Sequence, residues 1–556
     1  MFYSHAAIAA AVILSTVVGA QNSSSLPIVD LGYELIQAAN FNQETAGFYN
    51  FSNIRYAAPP LGELRFTKPE KPAVNRSVVN TGSYGPICPQ ANPAWEAIAA
   101  EWIPLYLSGN QTTFNESQFA TSSNSTALPA QDPRTNEDCL FLDVFVPQSV
   151  FENRGGYGAP VAVWIYGGGY TAGSKVSSGS PAGLLARSEG AQESGLIYVA
   201  MNYRLGAFGW LAGPTFQTNG TANAGLYDQR LALEWVQENI HLFGGDPNRV
   251  TVFGESAGGG SIMHQVTSFG GKEGSVPFQQ AIPQSPGFLP IGSPIQEEAT
   301  FNAYLALLNV STIEEARQLP YTALQTANII QVGSSSYGGF TYGPVVDGNF
   351  VPDLPGQLLA RGQYDTSLRL MLGHNADEGL LFTSPFIANN SDFRALVTTQ
   401  FPTLNVYSSI VDYIVNTLYP PIFDGSQAMG YRDQIGRAAA MISEVSFTCN
   451  TFYLDKAFAN DTFSYLFAIP PALHGEDVPY TYYPSAGVEV PAIAIALQEY
   501  ITRFAETGNP NVQGVPYFDL YSANATVQVL NITGISEIRD PAANARCDWW
   551  QKGLIF

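Results

Sequence analysis

A serine stands among glycines in the sequence VFGESAGGG, which spans residues 252–260. The pentapeptide from Gly254 to Gly258 fits Gly-x-Ser-x-Gly, the pattern of a nucleophile elbow, in which a sharp strand-to-helix turn exposes the serine hydroxyl. The strand-forming run VTVF precedes Ser256, and the following AGGGSIMHQVT can begin a helix whose N-terminal amides face the serine. The pattern predicts a nucleophile for acyl transfer, and a tight structural turn is the alternative.

A nucleophilic serine needs a base, and the five histidines of the chain are few enough to be judged one by one. His374 and His474 both follow predicted strands, and the chain order Ser…acid…His of α/β-hydrolases favours His474. His374 then belongs to the loop that carries the acid. The other three lie in the predicted signal peptide, at the end of a predicted helix and in the helix after Ser256: His5, His241 and His264.

The acid of such a site is expected after a strand that lies between the serine and the histidine in the chain. The run LRLMLGHNADEGLLF supplies Asp377 and Glu378 at this position. Either side chain can orient an imidazole and stabilise its cation, so the local sequence leaves the choice between them open.

A second glycine cluster, YGGGY at residues 166–170, follows the strand-forming run VAVWI. It lacks the third glycine of a dinucleotide-binding fingerprint because Ala172 occupies that position. The chain also has no Gly-Lys-Ser/Thr of a phosphate-binding loop. The cluster instead fits the turn that supplies oxyanion-hole amides in α/β-hydrolases, with a plain tight turn as the alternative.

Charge and cysteine content exclude several classes of partner. The formal charge of −22 argues against binding to nucleic acid or to an anionic membrane, since both select basic surfaces. The four cysteines form no CxxC motif and no Cys/His cluster with metal spacing, so we predict neither a metal nor another cofactor. The sequence leaves the oligomeric state open.

The N-terminus predicts a secreted protein. Residues 6–20 are apolar and end in Val-Gly-Ala, which is typical of a signal peptide (residues 1–20) cut after Ala20, although no Lys or Arg precedes the apolar run. A membrane anchor is the alternative and needs roughly 20 apolar residues. Four cysteines in an oxidising compartment predict two disulfides, with three possible pairings. Twelve glycosylation sequons support secretion: Asn22, Asn50, Asn75, Asn110, Asn115, Asn124, Asn219, Asn309, Asn389, Asn460, Asn524 and Asn531.

The middle of the chain alternates apolar, strand-like runs with helical stretches. Continuous apolar strands are typical of a sheet buried on both faces, and no linker divides the chain, so we predict one α/β domain over residues 21–556 with long insertions. The segment 89–138 differs, because the apolar stretch AWEAIAAEWIPLYL (94–107) precedes a Ser/Thr/Asn-rich tract. This loop is either a mobile cover or surface decoration.

Long ordered stretches of the chain resemble the type-B carboxylesterase/lipase family, which includes cholinesterases and fungal secreted lipases. The resemblance implies an α/β-hydrolase fold with a large, mostly parallel central sheet flanked by helices. It also implies a secreted serine esterase or lipase that cleaves small-molecule or lipid esters through an acyl-enzyme intermediate. The stretches are IRYAAPPLGELRF, EDCLFLDVFVP, VWIYGGGY, NYRLGAFGWL, NAGLYDQRLALEWVQENIHLFGGDPNRVTVFGESAGG, DEGLLF and HGED.

The resemblance assigns roles that the residues alone leave open. It selects Glu378, the glutamate of the Asp-Glu-Gly motif, as the acid that completes a triad with Ser256 and His474. It implies backbone amides for an oxyanion hole, and it implies two cysteine pairings. The oxyanion-hole residues are Gly168, Gly169 and Ala257, and the pairs are Cys88–Cys139 and Cys449–Cys547.

The resemblance also frames the substrate alternatives. A true lipase should have an apolar lid that opens on a lipid surface, and in the fungal lipases of this family the lid lies in the corresponding cysteine-closed loop, so such a lid would be expected at 94–107. The alternative is that Trp95 and Trp102 pack the loop down. A cholinesterase would need a site for a quaternary ammonium, and either tryptophan could stack on one, but neither has neighbours that match such a site. A non-catalytic adhesion protein of this fold would have a broken triad, whereas serine, glutamate and histidine are all present here.

Overall fold

The computed structural model describes residues 26–43, 47–115, 129–156, 158–189, 195–288, 293–426 and 430–554. The predicted signal peptide and the sequon residues Asn22 and Asn124 lie outside these ranges. Within the ranges, no helix combines the length and the apolar character that crossing a membrane requires.

The described residues contain fourteen strands, eleven of which form one continuous sheet. The strands are β1 (Ile28–Asp30), β2 (Leu35–Gln37), β3 (Asn40–Asn42), β4 (Phe48–Arg55), β5 (Val79–Asn80), β6 (Phe141–Pro147), β7 (Ala159–Ile165), β8 (Ile197–Met201), β9 (Gly245–Glu255), β10 (Gln280–Gln284), β11 (Arg369–Asn375), β12 (Phe463–Phe467), β13 (Thr526–Asn531) and β14 (Gly534–Arg539). The order in the large sheet is β14-β13-β12-β11-β10-β9-β7-β8-β6-β4-β3, and β1, β2 and β5 form a small second sheet.

The centre of the large sheet is parallel from β13 through to β8, and both edges are antiparallel. Every residue of β7, β8 and β12 is buried, as expected for parallel strands covered on both faces. Strand β9 begins earlier than VTVF predicts, because Gly245 already pairs with Ala159 of β7 across a register irregularity. The predicted α/β fold class with a large, mostly parallel sheet is confirmed.

Helices flank this sheet, and seventeen α-helices lie in the described ranges. They are α1 (Trp95–Leu107), α2 (Gln148–Glu152), α3 (Ala182–Ser188), α4 (Gly206–Trp210), α5 (Ala224–Asn239), α6 (Ala257–Val266), α7 (Pro294–Leu308), α8 (Ile313–Arg317), α9 (Tyr321–Gly333), α10 (Pro355–Ala360), α11 (Asn390–Gln400), α12 (Ser408–Tyr413), α13 (Gln434–Ser443), α14 (Cys449–Ala457), α15 (Val478–Thr481), α16 (Pro491–Thr507) and α17 (Ala545–Trp550). A 3-10 turn spans Glu378–Phe382.

The parallel pairing brings the carboxyl ends of the central strands to one edge of the sheet. Ile165 at the end of β7 pairs with Gly254 of β9, and Glu255 of β9 pairs with Gln284 at the end of β10. The turns after β7, β9, β10, β11 and β12 therefore meet at that edge, which is where ligands bind in open α/β sheets.

Two disulfides tie distant parts of the chain together. Cys88 pairs with Cys139 and Cys449 pairs with Cys547, with Cα atoms 5.0 and 5.1 Å apart. These are the two pairings that the family resemblance implies. Each closes a loop, of 51 and 98 residues respectively, and so removes conformational freedom from the unfolded chain.

Candidate active site

Ser256 occupies the sharp turn between β9 and α6. Its backbone has a φ of 59° and a ψ of −124°, a conformation that residues with a side chain rarely adopt. The Ser256 amide donates to the Gln284 carbonyl (3.1 Å), and its own carbonyl accepts from the amides of Gly260 (2.8 Å) and Gly287 (2.9 Å). The strand-turn-helix context that the glycine pattern predicts is therefore present.

The glycines on either side of Ser256 are needed because the turn packs against the end of β7. A Cβ atom on Gly258 would lie 2.0 Å from the Ile165 carbonyl oxygen, and one on Gly254 would lie 2.4 Å from the same atom. Both distances are far inside van der Waals contact, and the obstacle is backbone that cannot move aside. The pattern Gly-x-Ser-x-Gly thus follows from the closeness of two strands and a helix.

The His474 imidazole joins Ser256 to Glu378. Nε2 lies 2.7 Å from the Ser256 Oγ, and Nδ1 lies 2.5 Å from Glu378 Oε2. We assign the proton of the neutral ring to Nδ1, which donates to the carboxylate, so that the serine hydroxyl donates to Nε2. The side chain of His474 is 6% exposed and that of Glu378 is fully buried. This arrangement allows the imidazole to accept the serine proton.

Glu378 is held by two further hydrogen bonds to its other carboxylate oxygen. The Ser285 hydroxyl and the Asn375 amide each donate to Oε1 at 2.6 Å. Asp377 takes a different place, where its backbone amide donates to the Ala472 carbonyl (2.9 Å). The structure therefore brings Glu378 to the imidazole, the carboxylate that the family resemblance selects.

The other histidines of the described ranges lie away from Ser256. The sequence predicted that His374 follows a strand, but it lies inside β11. Its Nδ1 lies 3.3 Å from the Thr451 hydroxyl. His264 is buried in α6, with its Nδ1 2.8 Å from the Gly260 carbonyl oxygen. His241 belongs to a 3-10 turn before β9.

The glycine turn after β7 lies directly against the elbow. A Cβ atom on Gly167 would stand 2.7 Å from the Ser256 Cβ. Gly168 and Gly169 follow with φ values of 108° and 60°, which favour glycine. A Cβ on Gly168 would also lie 2.4 Å from the carbonyl oxygen of Ala172. The glycines of YGGGY are therefore required by both backbone conformation and close packing.

Ala257 completes this group of backbone positions next to the serine. It is the first residue of α6, where a backbone amide has no acceptor within its own helix. The turn after β7 and the start of α6 thus place Gly168, Gly169 and Ala257, the three predicted oxyanion-hole residues, beside Ser256.

Two buried carboxyl groups that the sequence analysis did not single out lie near the imidazole. Glu255 Oε1 is 3.3 Å from His474 Nε2, and Asp477 accepts from the Tyr465 hydroxyl (2.8 Å) and the Gln284 amide (3.1 Å). Burial raises the pKa of both carboxyl groups. Burial opposes the charged form of His474, but the nearby carboxylates outweigh it and raise the pKa of the imidazole.

These residues had detectable signals in the chain. Glu255 directly precedes Ser256, and Ser285 directly follows the strand next to β9.

Within the described ranges, no group of three or more His, Cys, Asp or Glu side chains is placed to hold a metal ion.

A cavity of about 220 Å³ opens beside Ser256. Its described lining is aromatic near the serine, and it includes neutral polar side chains but none that is charged. The Phe340 ring covers Gly169 so closely that a Cβ there would stand 2.2 Å from it. Phe382 and Phe447 pack against the His474 ring, with centroids 5.1 and 4.3 Å away. The described neutral polar groups of the lining are Gln296, Thr300, Ser336, Thr341, Thr399, Gln400 and Ser446, together with the tyrosines Tyr170 and Tyr342.

The apolar stretch 94–107 forms helix α1, and both of its tryptophans are buried. Trp95 is 4% exposed and Trp102 is 5% exposed. The Trp95 ring contacts Tyr337, Phe340 and Phe382 and does not line the cavity. In this structure the helix is packed down, and neither tryptophan lines the cavity.

The architecture is that of the α/β-hydrolase esterases. The structure of EstA from Aspergillus niger superposes with a TM-score of 0.76, covering 95% of this chain and 98% of that one at 24% sequence identity. A PNB esterase superposes with a TM-score of 0.70, covering 94% of this chain and 99% of that one at 25% identity.

The sequence comparisons define the family within that fold. The carboxylesterase family profile matches residues 28–550, so the chain belongs to the carboxylesterase family. The chain is 42% identical over 548 residues to the carboxylesterase patB of Penicillium expansum, which covers 95% of this chain and 96% of that relative. A secreted lipase of Arthroderma benhamiae is 33% identical, covering 76% of this chain and 84% of its own length. The protein is a carboxylic ester hydrolase that acts on small-molecule esters.

Proposed function

We propose that this protein is a secreted serine esterase or lipase in which Ser256 is the nucleophile, His474 the base and Glu378 the residue that orients the base. The observation that carries the proposal is the continuous line of hydrogen bonds from the Ser256 hydroxyl through both nitrogens of His474 to the buried Glu378. The identification of the family supports ester hydrolysis as the reaction.

In the first step, Ser256 Oγ attacks the ester carbonyl carbon while His474 Nε2 takes the hydroxyl proton. The carbonyl oxygen becomes an oxyanion, which the amides of Gly168, Gly169 and Ala257 stabilise by roughly 3 kcal/mol for each donor in comparable sites. His474 then gives the proton to the leaving alcohol oxygen, and the C–O bond of the ester breaks. The acyl group remains on Ser256.

In the second step, water attacks the acyl-enzyme and His474 takes one of its protons. The tetrahedral intermediate collapses, the proton returns to Ser256 Oγ, and the free acid leaves. Glu378 keeps the proton-bearing Nδ1 oriented throughout and stabilises the imidazolium that forms in each step. The hydrogen bonds donated to the other carboxylate oxygen of Glu378 keep this carboxylate in one orientation, so each step needs less reorganisation.

Three observations support the proposal that the chain after the signal peptide is secreted and glycosylated as one folded unit. The ten sequon asparagines within the described ranges are all exposed or half-buried, so each can carry a glycan without disturbing the core. Two disulfides fit an oxidising compartment. Relatives from Arthroderma benhamiae are named secreted lipases.

The lining of the cavity favours uncharged acyl esters as substrates. No described lining residue carries a charge, and an aromatic wall suits apolar or ring-shaped groups. A cholinesterase is less well supported, because Trp95 and Trp102 face other aromatic rings of the protein and not the cavity. The intact hydrogen-bonded triad counts against a non-catalytic binding protein.

The experiment that tests the proposal compares Ser256→Ala with Ser446→Ala, a serine that lines the same cavity. We expect Ser256→Ala to lose p-nitrophenyl butyrate hydrolysis and labelling by a fluorophosphonate, while it is secreted like the wild type. Ser446→Ala should keep both activities. Turnover or labelling that persists in Ser256→Ala contradicts the assignment of the nucleophile.

A further inference from the structure

Trp95, at the start of α1, is tied to the wall of the cavity by a long-range hydrogen bond. Its indole N–H donates to the carbonyl oxygen of Gly339 at 2.7 Å, and both groups are buried. The neighbouring Ala94 amide donates to the carbonyl of Gly333 (3.2 Å), the last residue of α9. The start of α1 is thus joined to both ends of the segment 333–339.

Two lines of aromatic contacts lead from the Trp95 ring toward Ser256. In the first line, Trp95 meets Phe340 edge-on (centroids 5.5 Å apart), and Phe340 in turn covers Gly169. In the second, Trp95 meets Phe382 (5.8 Å), and Phe382 packs edge-on against the His474 ring (5.1 Å). Trp95 therefore contacts one neighbour of the oxyanion-hole turn and one neighbour of the imidazole.

The backbone beside Gly339 is also closely packed. Gly338 has a φ of 78°, and a Cβ atom there would lie 2.4 Å from the Phe382 carbonyl oxygen. The segment before Phe340 is therefore pressed against the 3-10 turn that begins at Glu378. On the α1 side of this segment, the Trp95 indole donates its hydrogen bond to Gly339.

We propose that Trp95 is a positioning residue for ester hydrolysis: its hydrogen bond to Gly339 fixes Phe340 over Gly169 and Phe382 against His474. The inference rests on the proposed function of Ser256 and His474. Moving α1 outward would break the hydrogen bond between the indole N–H and the Gly339 carbonyl and would disrupt both aromatic lines. Helix α1 therefore stays packed behind the cavity wall during hydrolysis, and the protein hydrolyses dissolved esters without needing a lipid interface.

The other tryptophan of the helix provides a matched control. Trp102 is equally buried, but its ring packs on Tyr106 (5.7 Å) and Phe114 (5.4 Å), away from the two aromatic lines. Its indole nitrogen has no hydrogen-bond partner among the described residues. Substituting phenylalanine therefore removes a hydrogen bond at Trp95 and none at Trp102, with a similar change in ring size.

The test measures kcat and KM for p-nitrophenyl butyrate and the rate of inactivation by a fluorophosphonate in wild type, Trp95→Phe and Trp102→Phe. We expect Trp95→Phe to lose about five-fold in kcat and in the inactivation rate, the effect of one hydrogen bond, with KM little changed. Trp102→Phe should stay within about two-fold of the wild type in both rates, because no hydrogen bond is lost. Equal rates in the two variants, even with a lower melting temperature for Trp95→Phe, overturn the positioning role.

A second measurement needs no variant. The wild-type rate on tributyrin is followed from below to above its solubility limit, and we expect smooth saturation through that limit. A sharp rise when droplets form shows that α1 opens at an interface and overturns the inference that α1 stays in place. Failure of the proposed function is distinguishable, because it appears as a wild type that neither hydrolyses the dissolved ester nor reacts with the fluorophosphonate.

Discussion

The buried Glu255 should control the pH range in which His474 works. Ester hydrolysis needs the neutral imidazole, so kcat/KM rises with pH as His474 loses its proton. A carboxylate near the ring favours the imidazolium, raises the pKa of His474 and moves this rise to higher pH. Removing that charge in Glu255→Gln should therefore extend activity toward lower pH.

The size of the effect follows from the distance. At 3.3 Å and an effective dielectric constant of roughly 20, two unit charges attract by about 5 kcal/mol, equivalent to about 3–4 pH units. This is an upper limit, because burial raises the pKa of Glu255 and keeps it protonated over part of the range. Glu378 and Asp477 also remain near the ring. We expect the acid limb of kcat/KM to move down by about 1–2 units.

The assay is the pH profile of kcat/KM for p-nitrophenyl butyrate. Glu476→Gln is the control, since Glu476 is two residues from His474 but bonds to the Leu473 amide (3.0 Å). Its profile should match the wild type. An acid limb that stays in place or moves to higher pH in Glu255→Gln would refute the electrostatic argument.

Two further substitutions test the support of Glu378 and the shape of the cavity. Ser285→Ala removes the hydroxyl that donates to Glu378 at 2.6 Å. Because hydrogen bonds to charged groups are strong, we expect kcat to fall about ten-fold with KM unchanged. An unchanged kcat contradicts a role for Ser285 in supporting Glu378. Phe340→Ala opens space next to Gly169, so the kcat/KM ratio of p-nitrophenyl octanoate to acetate should rise about ten-fold. Phe386 is more exposed and does not line the cavity, so Phe386→Ala should leave that ratio unchanged. A ratio in Phe340→Ala equal to that of the wild type would exclude Phe340 from chain-length selection.

Several parts of the architecture could be predicted because they depend on short-range patterns. The apolar runs predicted the central strands, and their lack of alternation predicted a sheet covered on both faces. The boundary of β9 was less predictable, since its first residues are in the sheet only through pairing with β7. The sequence predicted that His374 follows a strand, but it lies inside one, because pairing with neighbouring strands decides where a strand ends.

The sequence by itself determined the elbow, the glycine turn, the family and the candidate triad, since a turn that allows no Cβ restricts residue types over a few positions. Other features depend on contacts between residues far apart in the chain. Glu378 and His474 are 96 residues apart, and Trp95 and Gly339 are 244 apart. Only the tertiary structure decided that Glu255 faces the imidazole and that α1 is packed against the cavity wall. Such contacts depend on how strands and helices pack together, which no local pattern of residues encodes.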